Sequence, residues 1–219
     1  MTTRYTLILG TKNWSSWSLR PYMALRHIGV AFAEDLIALR RDTTSEEVVK
    51  RTPAGRVPVL KIDEAGKSYI VWDSLAICET LAERHPGAGL WPGDPATRAM
   101  ARSYAAEMHS GFPDLRDQLS MEFARRLPLP ELRETTKAQI ARIIDAWSEA
   151  LNHHASAGGF LFGRFSIADC TYAPVVSRFV TYGVALPAPV EAYVERMMAL
   201  PAMVDWGKAA KQEVEAGLV

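Results

Sequence analysis

The chain of 219 residues has few cysteines, no net charge and no long apolar run, and each absence excludes a class of protein. The 25 basic and 25 acidic side chains cancel, so no excess of positive charge indicates binding to nucleic acid or to a membrane surface. No stretch approaches the roughly 20 apolar residues of a membrane span, and the N-terminal run YTLIL is too short for a signal sequence. We therefore expect a cytoplasmic protein with neither a nucleic-acid nor a membrane partner.

Motifs for metal, nucleotide and disulfide chemistry are also missing. The sequence contains no GxGxxG, no P-loop, no HExxH and no CxxC. Cys78 and Cys170 lie far apart in apolar helical patterns, which favours reduced thiols in the core over a disulfide. His153 and His154 are adjacent, so they point to different sides of a helix and are poor ligands for one metal ion. We expect no metal site.

The first part of the chain has the pattern of a mixed α/β domain. Strands are predicted at residues 5–10 and 31–39 with a helix between them, and a capping box at Thr44–Glu47 opens a second helix. Two more strands, VPVLKI and SYIVW, and a helix that begins at Asp73 and Ser74 complete the order βαβαββα. This order predicts a mixed sheet with a right-handed first crossover and an antiparallel hairpin at its end.

A segment rich in glycine and proline follows and predicts a domain boundary. The linker is placed at residues 85–94, between a domain of residues 1–84 and a domain of residues 95–219. Beyond the linker the patterns are helical, with an interruption at Gly111-Phe112-Pro113. The capping box Ser166-Ile-Ala-Asp169 opens a helix that is apolar all round, which predicts a central position in an all-α second domain.

The segment Thr52–Leu81 has the features of a small-molecule binding face. Pro58 lies inside an apolar run, where it cannot donate to a sheet, and a cis Val57–Pro58 bond is one arrangement that accommodates it. Asp73 and Ser74 are both good N-cap residues ahead of an apolar helix pattern. Free backbone amides at that helix start suit a carboxylate ligand.

The loop KNWSSWS, residues 12–18, joins the first strand to the first helix, at the sheet edge where ligands of α/β proteins gather. Ser15, Ser16 and Ser18 compete as N-caps, and we expect at least one of them to be only a cap. A spare serine hydroxyl beside a helix N-terminus can donate a hydrogen bond to a thiolate, which the helix dipole also favours. His109 lies near the helix interruption, where we expect a partly exposed histidine, with a position facing a cleft as the alternative.

Together SSWSLRPYMAL, RVPVLKI, DSLAI, the linker and SIADC occur in an order that resembles the cytosolic glutathione S-transferase superfamily, over essentially the whole chain. The resemblance, of bacterial type, implies a thioredoxin-like first domain that binds glutathione as co-substrate and a helical second domain that binds a small hydrophobic electrophile. It also implies detoxification chemistry in a homodimer. The loop SSWS is similar to the SSCS of the zeta class, which handles maleylacetoacetate, but Trp17 stands where that loop has cysteine.

The resemblance also implies roles for individual residues. The glutathione-binding residues would be Arg56, Val57, Pro58, Asp73 and Ser74: the main chain of Val57 pairs with the cysteinyl part, Asp73 and Ser74 hold the γ-glutamyl group, and Arg56 reaches the glycine carboxylate. Ser15 is the expected thiolate partner and Ser16 the second choice.

The remaining site residues are less sharply defined by the sequence. The electrophile pocket is expected to include Trp14, Trp17, Tyr104, Met108 and Phe112, although for each of them a place in the core is the alternative. Tyr5 is a rival to the serines, because other classes use a tyrosine of the first strand, although a core or edge tyrosine is the alternative for it.

Three functions remain open on these residues. The first is a transferase in which a serine assists attack by the glutathione thiolate on an electrophile. The second is a glutathione-dependent cis–trans isomerase of the maleylacetoacetate or maleylpyruvate type. The third is a non-catalytic binding module, which Trp17 keeps open because it replaces the cysteine of related loops.

Overall fold

The computed structural model describes residues 3–154 and 158–219, and its first part is a four-stranded mixed sheet with helices. The chain order is β1 (Arg4–Gly10), α1 (Ser16–Ile28), β2 (Phe32–Ile37), α2 (Thr44–Arg51), β3 (Val59–Glu64), β4 (Lys67–Trp72) and α3 (Ser74–Arg84). In the sheet the order is β2-β1-β3-β4, with β1 parallel to β2 and antiparallel to β3. The predicted βαβαββα thioredoxin-like arrangement is confirmed.

The second part is helical, as predicted, with two isolated β-bridges within residues 160–164. Its helices are α4 (Pro95–Ser110), α5 (Pro113–Gln118), α6 (Glu134–His153), α7 (Ile167–Tyr182), α8 (Ala188–Met198) and α9 (Pro201–Glu215). All residues of α7 except Val180 are buried, so its predicted central position is confirmed. Cys78 and Cys170 are free and buried, in agreement with reduced core thiols.

The break between α4 and α5 is held by one arginine. Gly111 is extended and ends α4 after Ser110, and Phe112, in a left-handed conformation with φ of 60°, turns the chain into α5. The guanidinium of Arg116 then donates to the carbonyl oxygens of Gly111 and Met108, which have no partner inside the helix. The predicted interruption therefore has a definite structure rather than a simple kink.

The two predicted capping boxes have different outcomes. At α7 the box is present, since Ser166 and Asp169 bond reciprocally. At α2 the prediction is wrong, because the helix begins at Thr44 itself and Thr43 occupies the N-cap position without a side-chain bond. The Thr44 hydroxyl instead donates to the Ala38 carbonyl at 2.7 Å, since that orphan acceptor in the preceding loop is within its reach.

Among the helices of residues 3–154 and 158–219, none combines the length and the apolarity needed to span a bilayer.

A substitution of Asp169 tests how much the capping box of α7 contributes to the stability of the helical part. Its fully buried carboxylate accepts hydrogen bonds from Leu161 N, Ser166 N and Tyr193 Oη, and burial raises its pKa to about 6. Asp169→Ala leaves these donors buried without a partner, and we expect it to lower the free energy of unfolding by about 3 kcal/mol. Urea unfolding followed by circular dichroism measures the loss.

The matched control is Asp94→Ala, since Asp94 caps α4 from an exposed position by accepting from Thr97 N at 2.7 Å. We expect this variant to lose about 1 kcal/mol. Equal losses in the two variants would show that burial of the Asp169 network contributes nothing beyond an ordinary cap.

Candidate functional site

A cavity of about 610 Å³ lies beside the N-terminus of α3 and is the strongest candidate for a ligand site. It brings together all of the predicted glutathione-binding residues with one residue of the serine loop and one of α4. The lining residues are Trp17, Ala54, Arg56, Val57, Pro58, Trp72, Asp73, Ser74 and His109. The residues from 54 to 74 that line it come from the loop that leads into β3, from β4, and from the N-cap and first residue of α3.

The α3 end of the cavity offers free donors. Asp73 is the N-cap, as predicted, and its carboxylate accepts from Leu75 N at 2.8 Å and Ala76 N at 3.4 Å. Its φ of 74° is unfavourable for a non-glycine residue, a strain that is concentrated at functional positions. The Ser74 hydroxyl is 2% exposed and has no partner among the described residues. A carboxylate beside this helix start would satisfy that hydroxyl.

His109 of α4 also lines the cavity, close to the N-cap of α3, and the sequence did not reveal its contacts there. His109 Nε2 lies 3.2 Å from Asp73 Oδ2, and its ring meets Trp17 edge-on with centroids 5.1 Å apart. Burial is the largest cause that lowers the pKa of His109. Asp73 raises this pKa, whereas Arg20 and Arg116 lower it further. The ring is therefore neutral at pH 7 and can accept or donate a hydrogen bond.

The bond Val57–Pro58 is cis, as the position of the proline suggested. Both residues precede β3, which begins at Val59, so they lie before the hydrogen-bonded ladder of the sheet. Arg56 is exposed at the mouth of the same segment. The three residues therefore present main chain and one cation to the cavity.

Trp17, of the predicted serine loop, lies in the first turn of α1 and lines the cavity, and two arginines contact its ring. The guanidinium carbons of Arg20 and Arg116 lie 4.1 Å and 4.8 Å from its ring centroid. Arg20 is 1% exposed, and its three side-chain nitrogens have no partner among the described residues. Burial, with Arg116 and Arg178, lowers the pKa of Arg20 to about 9, so it still carries its charge at neutral pH.

The loop serines are buried and do not line the cavity. Ser15 donates to the Ser18 hydroxyl at 2.7 Å, and the Ser18 hydroxyl accepts from Gly10 N at 3.2 Å. Ser15 holds the N-cap position of α1, as was expected of one of these serines, but its side chain makes no capping bond. The hydroxyls join the loop to the end of β1 because the Gly10 amide needs an acceptor there.

The other predicted pocket residues lie away from the cavity. Trp14 donates to Glu122 Oε1 at 2.9 Å, and Tyr104 donates to the Ala146 carbonyl at 3.2 Å. Met108 and Phe112 are buried in the core. Their packing matches the core alternative, and a role in binding an electrophile stays a prediction for these four.

Tyr5 belongs to the core, as the alternative reading had it. Its hydroxyl lies 2.9 Å from His85 Nε2 and accepts from Arg84 Nε at 3.0 Å.

The serine loop is held in place by two carboxylates of the helical part. Glu213 accepts from Lys12 N at 2.9 Å and Asn13 N at 3.0 Å, and Glu122 accepts from Asn13 Nδ2 at 2.7 Å. Burial is the largest cause that raises the pKa of Glu213, and the hydrogen bonds from the two backbone amides lower it. We name Glu122, Glu213 and Asn13 the loop clamp. The clamp fixes the loop from which Trp17 enters the cavity.

No group of three or more His, Cys, Asp or Glu residues within residues 3–154 and 158–219 is placed to hold a metal ion.

Comparison with known proteins gives a consistent picture. Residues 14–84 match the family model described as "Glutathione S-transferase, N-terminal domain", and residues 130–206 match "Glutathione S-transferase, C-terminal domain". The chain is 32% identical over 186 residues to a maleylacetoacetate isomerase of Rhizobium meliloti (strain 1021), covering 80% of this chain and 82% of that protein.

Two further relatives extend the comparison. A stringent starvation protein A homolog of Histophilus somni is 25% identical over 181 residues, 80% of this chain and 77% of that protein. The crystal structure of a maleylacetoacetate isomerase from Anaeromyxobacter dehalogenans 2CP-1, with glutathione bound in its active site, aligns with a TM-score of 0.68 at 26% identity. That alignment covers 97% of this chain and 96% of the other.

The loop clamp can be tested by changing one acceptor. Glu213→Gln keeps the size of the side chain but leaves one acceptor oxygen for two backbone amides, so we expect residues 11–16 to exchange their amide hydrogens at least ten-fold faster. Hydrogen–deuterium exchange with mass spectrometry measures this. Glu215→Gln is the control, since Glu215 lies on α9 as well but is exposed and pairs with Lys211 at 3.8 Å. Unchanged exchange in Glu213→Gln would mean that the clamp does not hold the loop.

Proposed function

The chain belongs to the glutathione S-transferase family, and we propose that it binds glutathione in the cavity beside α3 and presents the thiolate to a small electrophile. The observation that carries this proposal is the buried, unpartnered Ser74 hydroxyl at the start of α3, within a cavity lined by every predicted glutathione-binding residue. A buried hydroxyl without a partner costs stability, and a ligand carboxylate would offset that cost.

Each part of glutathione has a complementary group in the cavity. The Ser74 hydroxyl and amide would hold the γ-glutamyl carboxylate, and the Asp73 carboxylate would accept from the γ-glutamyl ammonium group. The main chain of Val57, ahead of cis Pro58, would pair with the cysteinyl backbone. Arg56, exposed at the mouth, would contact the glycine carboxylate.

The protein has to favour the thiolate, because a free thiol with a pKa near 8.5 is only a few per cent ionised at neutral pH. A shift of about two pKa units requires roughly 2.7 kcal/mol of preferential stabilisation. Ser15, with Ser16 as the second choice, is the proposed hydrogen-bond donor. For this role the Ser15 hydroxyl would have to exchange its bond to Ser18 for one to the sulfur.

A second candidate is favoured by the relatives, since the Rhizobium meliloti and Anaeromyxobacter dehalogenans proteins are named maleylacetoacetate isomerases. In such a reaction glutathione supplies a thiolate that adds to a conjugated double bond and leaves after rotation. The loop would then only need to position the sulfur, a task that does not require the cysteine that Trp17 replaces. The cytoplasmic location and the homodimer stay predictions, and light scattering tests the latter.

The glutathione site can be tested at Ser74. Ser74→Ala removes the buried donor, and we expect glutathione to bind at least ten-fold more weakly because its carboxylate loses a charge-assisted hydrogen bond. Isothermal titration calorimetry measures the change. The control is Thr80→Ala on the same helix, whose hydroxyl donates to the Ala76 carbonyl and faces solvent. Equal affinity in Ser74→Ala and the native protein would remove Ser74 from the site.

Turnover assays separate the candidate functions. Consumption of glutathione with an aromatic chloronitro substrate is expected of a transferase. Isomerisation of maleylacetoacetate or maleylpyruvate without loss of glutathione selects the isomerase. Glutathione binding with neither activity would contradict both and leave the non-catalytic module.

A further inference from the structure

We propose that the buried guanidinium of Arg20, supported by Arg116, stabilises the glutathione thiolate electrostatically. This inference rests on the proposed function, because it assigns a further residue to the same site. Neither arginine was predicted from the sequence as part of the site. The proposed role is a field effect through the wall of the cavity, and it needs no contact between Arg20 and the sulfur.

Arg20 is the least satisfied charge of the site. Its side chain is 1% exposed, and Nε, Nη1 and Nη2 all lack hydrogen-bond partners among the described residues. Removing a cation from water without a partner is costly, and ordinary protein cores avoid it. The cost is recovered if an anion occupies the neighbouring cavity, so the arrangement favours a state in which an anion is bound.

The charged and titratable groups around Arg20 do not neutralise it. They are Arg116 of α5, Arg178 and Tyr172 of α7, Cys78 of α3, Asp73 at the N-cap of α3 and His109 of α4. Two of the six are cations. The His109 ring is neutral, and burial raises the pKa of the Tyr172 phenol and raises that of the Cys78 thiol to about 12, so both stay neutral. The carboxylate of Asp73 is shared with Leu75 N, Ala76 N and His109. An excess of positive charge therefore remains behind the cavity.

Trp17 connects this charge to the cavity. Its ring lines the cavity and also contacts the guanidinium groups of Arg20 and Arg116, with centroid distances of 4.1 Å and 4.8 Å. Two further buried donors without partners among the described residues lie near this charge, namely Ser74 Oγ in the cavity lining and Nη1 of Arg116, whose guanidinium contacts Trp17. Unsatisfied donors thus lie on the side of the cavity where an anion would be bound.

The thiolate is the anion whose formation the proposed reaction requires. When the S–H bond breaks, its proton passes to solvent and its electron pair remains on sulfur, with no oxidation or reduction. A fixed cation in a water-poor region favours the charged form of a nearby acid and lowers its pKa. Ser15 provides no such charge, and its hydroxyl donates to Ser18.

The test is the pKa of the glutathione thiol bound to Arg20→Met, from the ultraviolet absorbance of the thiolate as a function of pH. We expect the pKa of the bound thiol to rise by at least about one unit, which lowers the thiolate fraction ten-fold at pH values below the pKa. The affinity for glutathione should stay within about three-fold of the native value. The midpoint of urea unfolding should stay equal or rise, because a buried unpaired charge has been replaced by an apolar side chain. A merely structural arginine would give the reverse, a lower midpoint and an unchanged thiol pKa.

Two further variants complete the experiment. Arg26→Met is the control, since Arg26 lies on the same helix but is 37% exposed and pairs with Asp205. It should leave the thiol pKa unchanged. Arg116→Met should raise the thiol pKa in the same direction as Arg20→Met. If Arg20→Met does not fold, Arg20→Lys, which keeps the charge, and Arg116→Met decide the question.

The outcomes separate the two proposals. Native protein that does not bind glutathione overturns the proposed function. Binding with a lowered thiol pKa that Ser15→Ala raises, and that the Arg20 and Arg116 variants leave unchanged, overturns the role of Arg20 alone.

Discussion

The site depends on the loop clamp, which joins the serine loop to the helical part of the chain. Glu213 accepts the amides of Lys12 and Asn13, and Glu122 accepts the Asn13 side chain. Asn13 in turn accepts from Phe123 N at 3.1 Å and Ala124 N at 2.8 Å through its two carbonyl groups. Because buried polar groups are stable only when they are paired, these bonds select one position of the loop. That position places Trp17 in the cavity wall and turns the Ser15 hydroxyl toward Ser18.

Local signals in the sequence predicted most of the fold and the α3 side of the site. Alternating and helical patterns located the elements, and the cap at Asp73 and the unusual Pro58 depend on neighbouring residues alone. The clamp could not be predicted in this way, since Glu213 and Asn13 are 200 residues apart. His109 is partly exposed, as expected, and it lines the cavity, but its contact with Asp73, a residue of another element, could not be predicted in this way. Nothing in the sequence indicated that Arg20 is buried, because an arginine among the apolar residues of a helix usually lies at the surface.

Several departures from ordinary folding rules lie around the cavity. Asp73 adopts a positive φ, Ser74 has a buried hydroxyl without a partner, and Arg20 is a buried charge without a carboxylate. At α7, by contrast, the buried Asp169 carboxylate has four donors. The Asp169 network is complete within the chain, whereas Ser74 beside the cavity leaves a buried donor that the proposed ligand would satisfy.

Trp17 connects these observations, although the sequence alone made it an argument against catalysis. Replacing a cysteine removes a thiol that could form a mixed disulfide with glutathione. The indole also covers the guanidinium groups of Arg20 and Arg116, with which it makes cation–π contacts. A side chain that keeps water from a cation strengthens the field of that cation, because electrostatic interactions grow as the local dielectric constant falls. The tryptophan is therefore compatible with thiolate chemistry, on the condition that the thiolate is stabilised by charge rather than formed beside a second thiol.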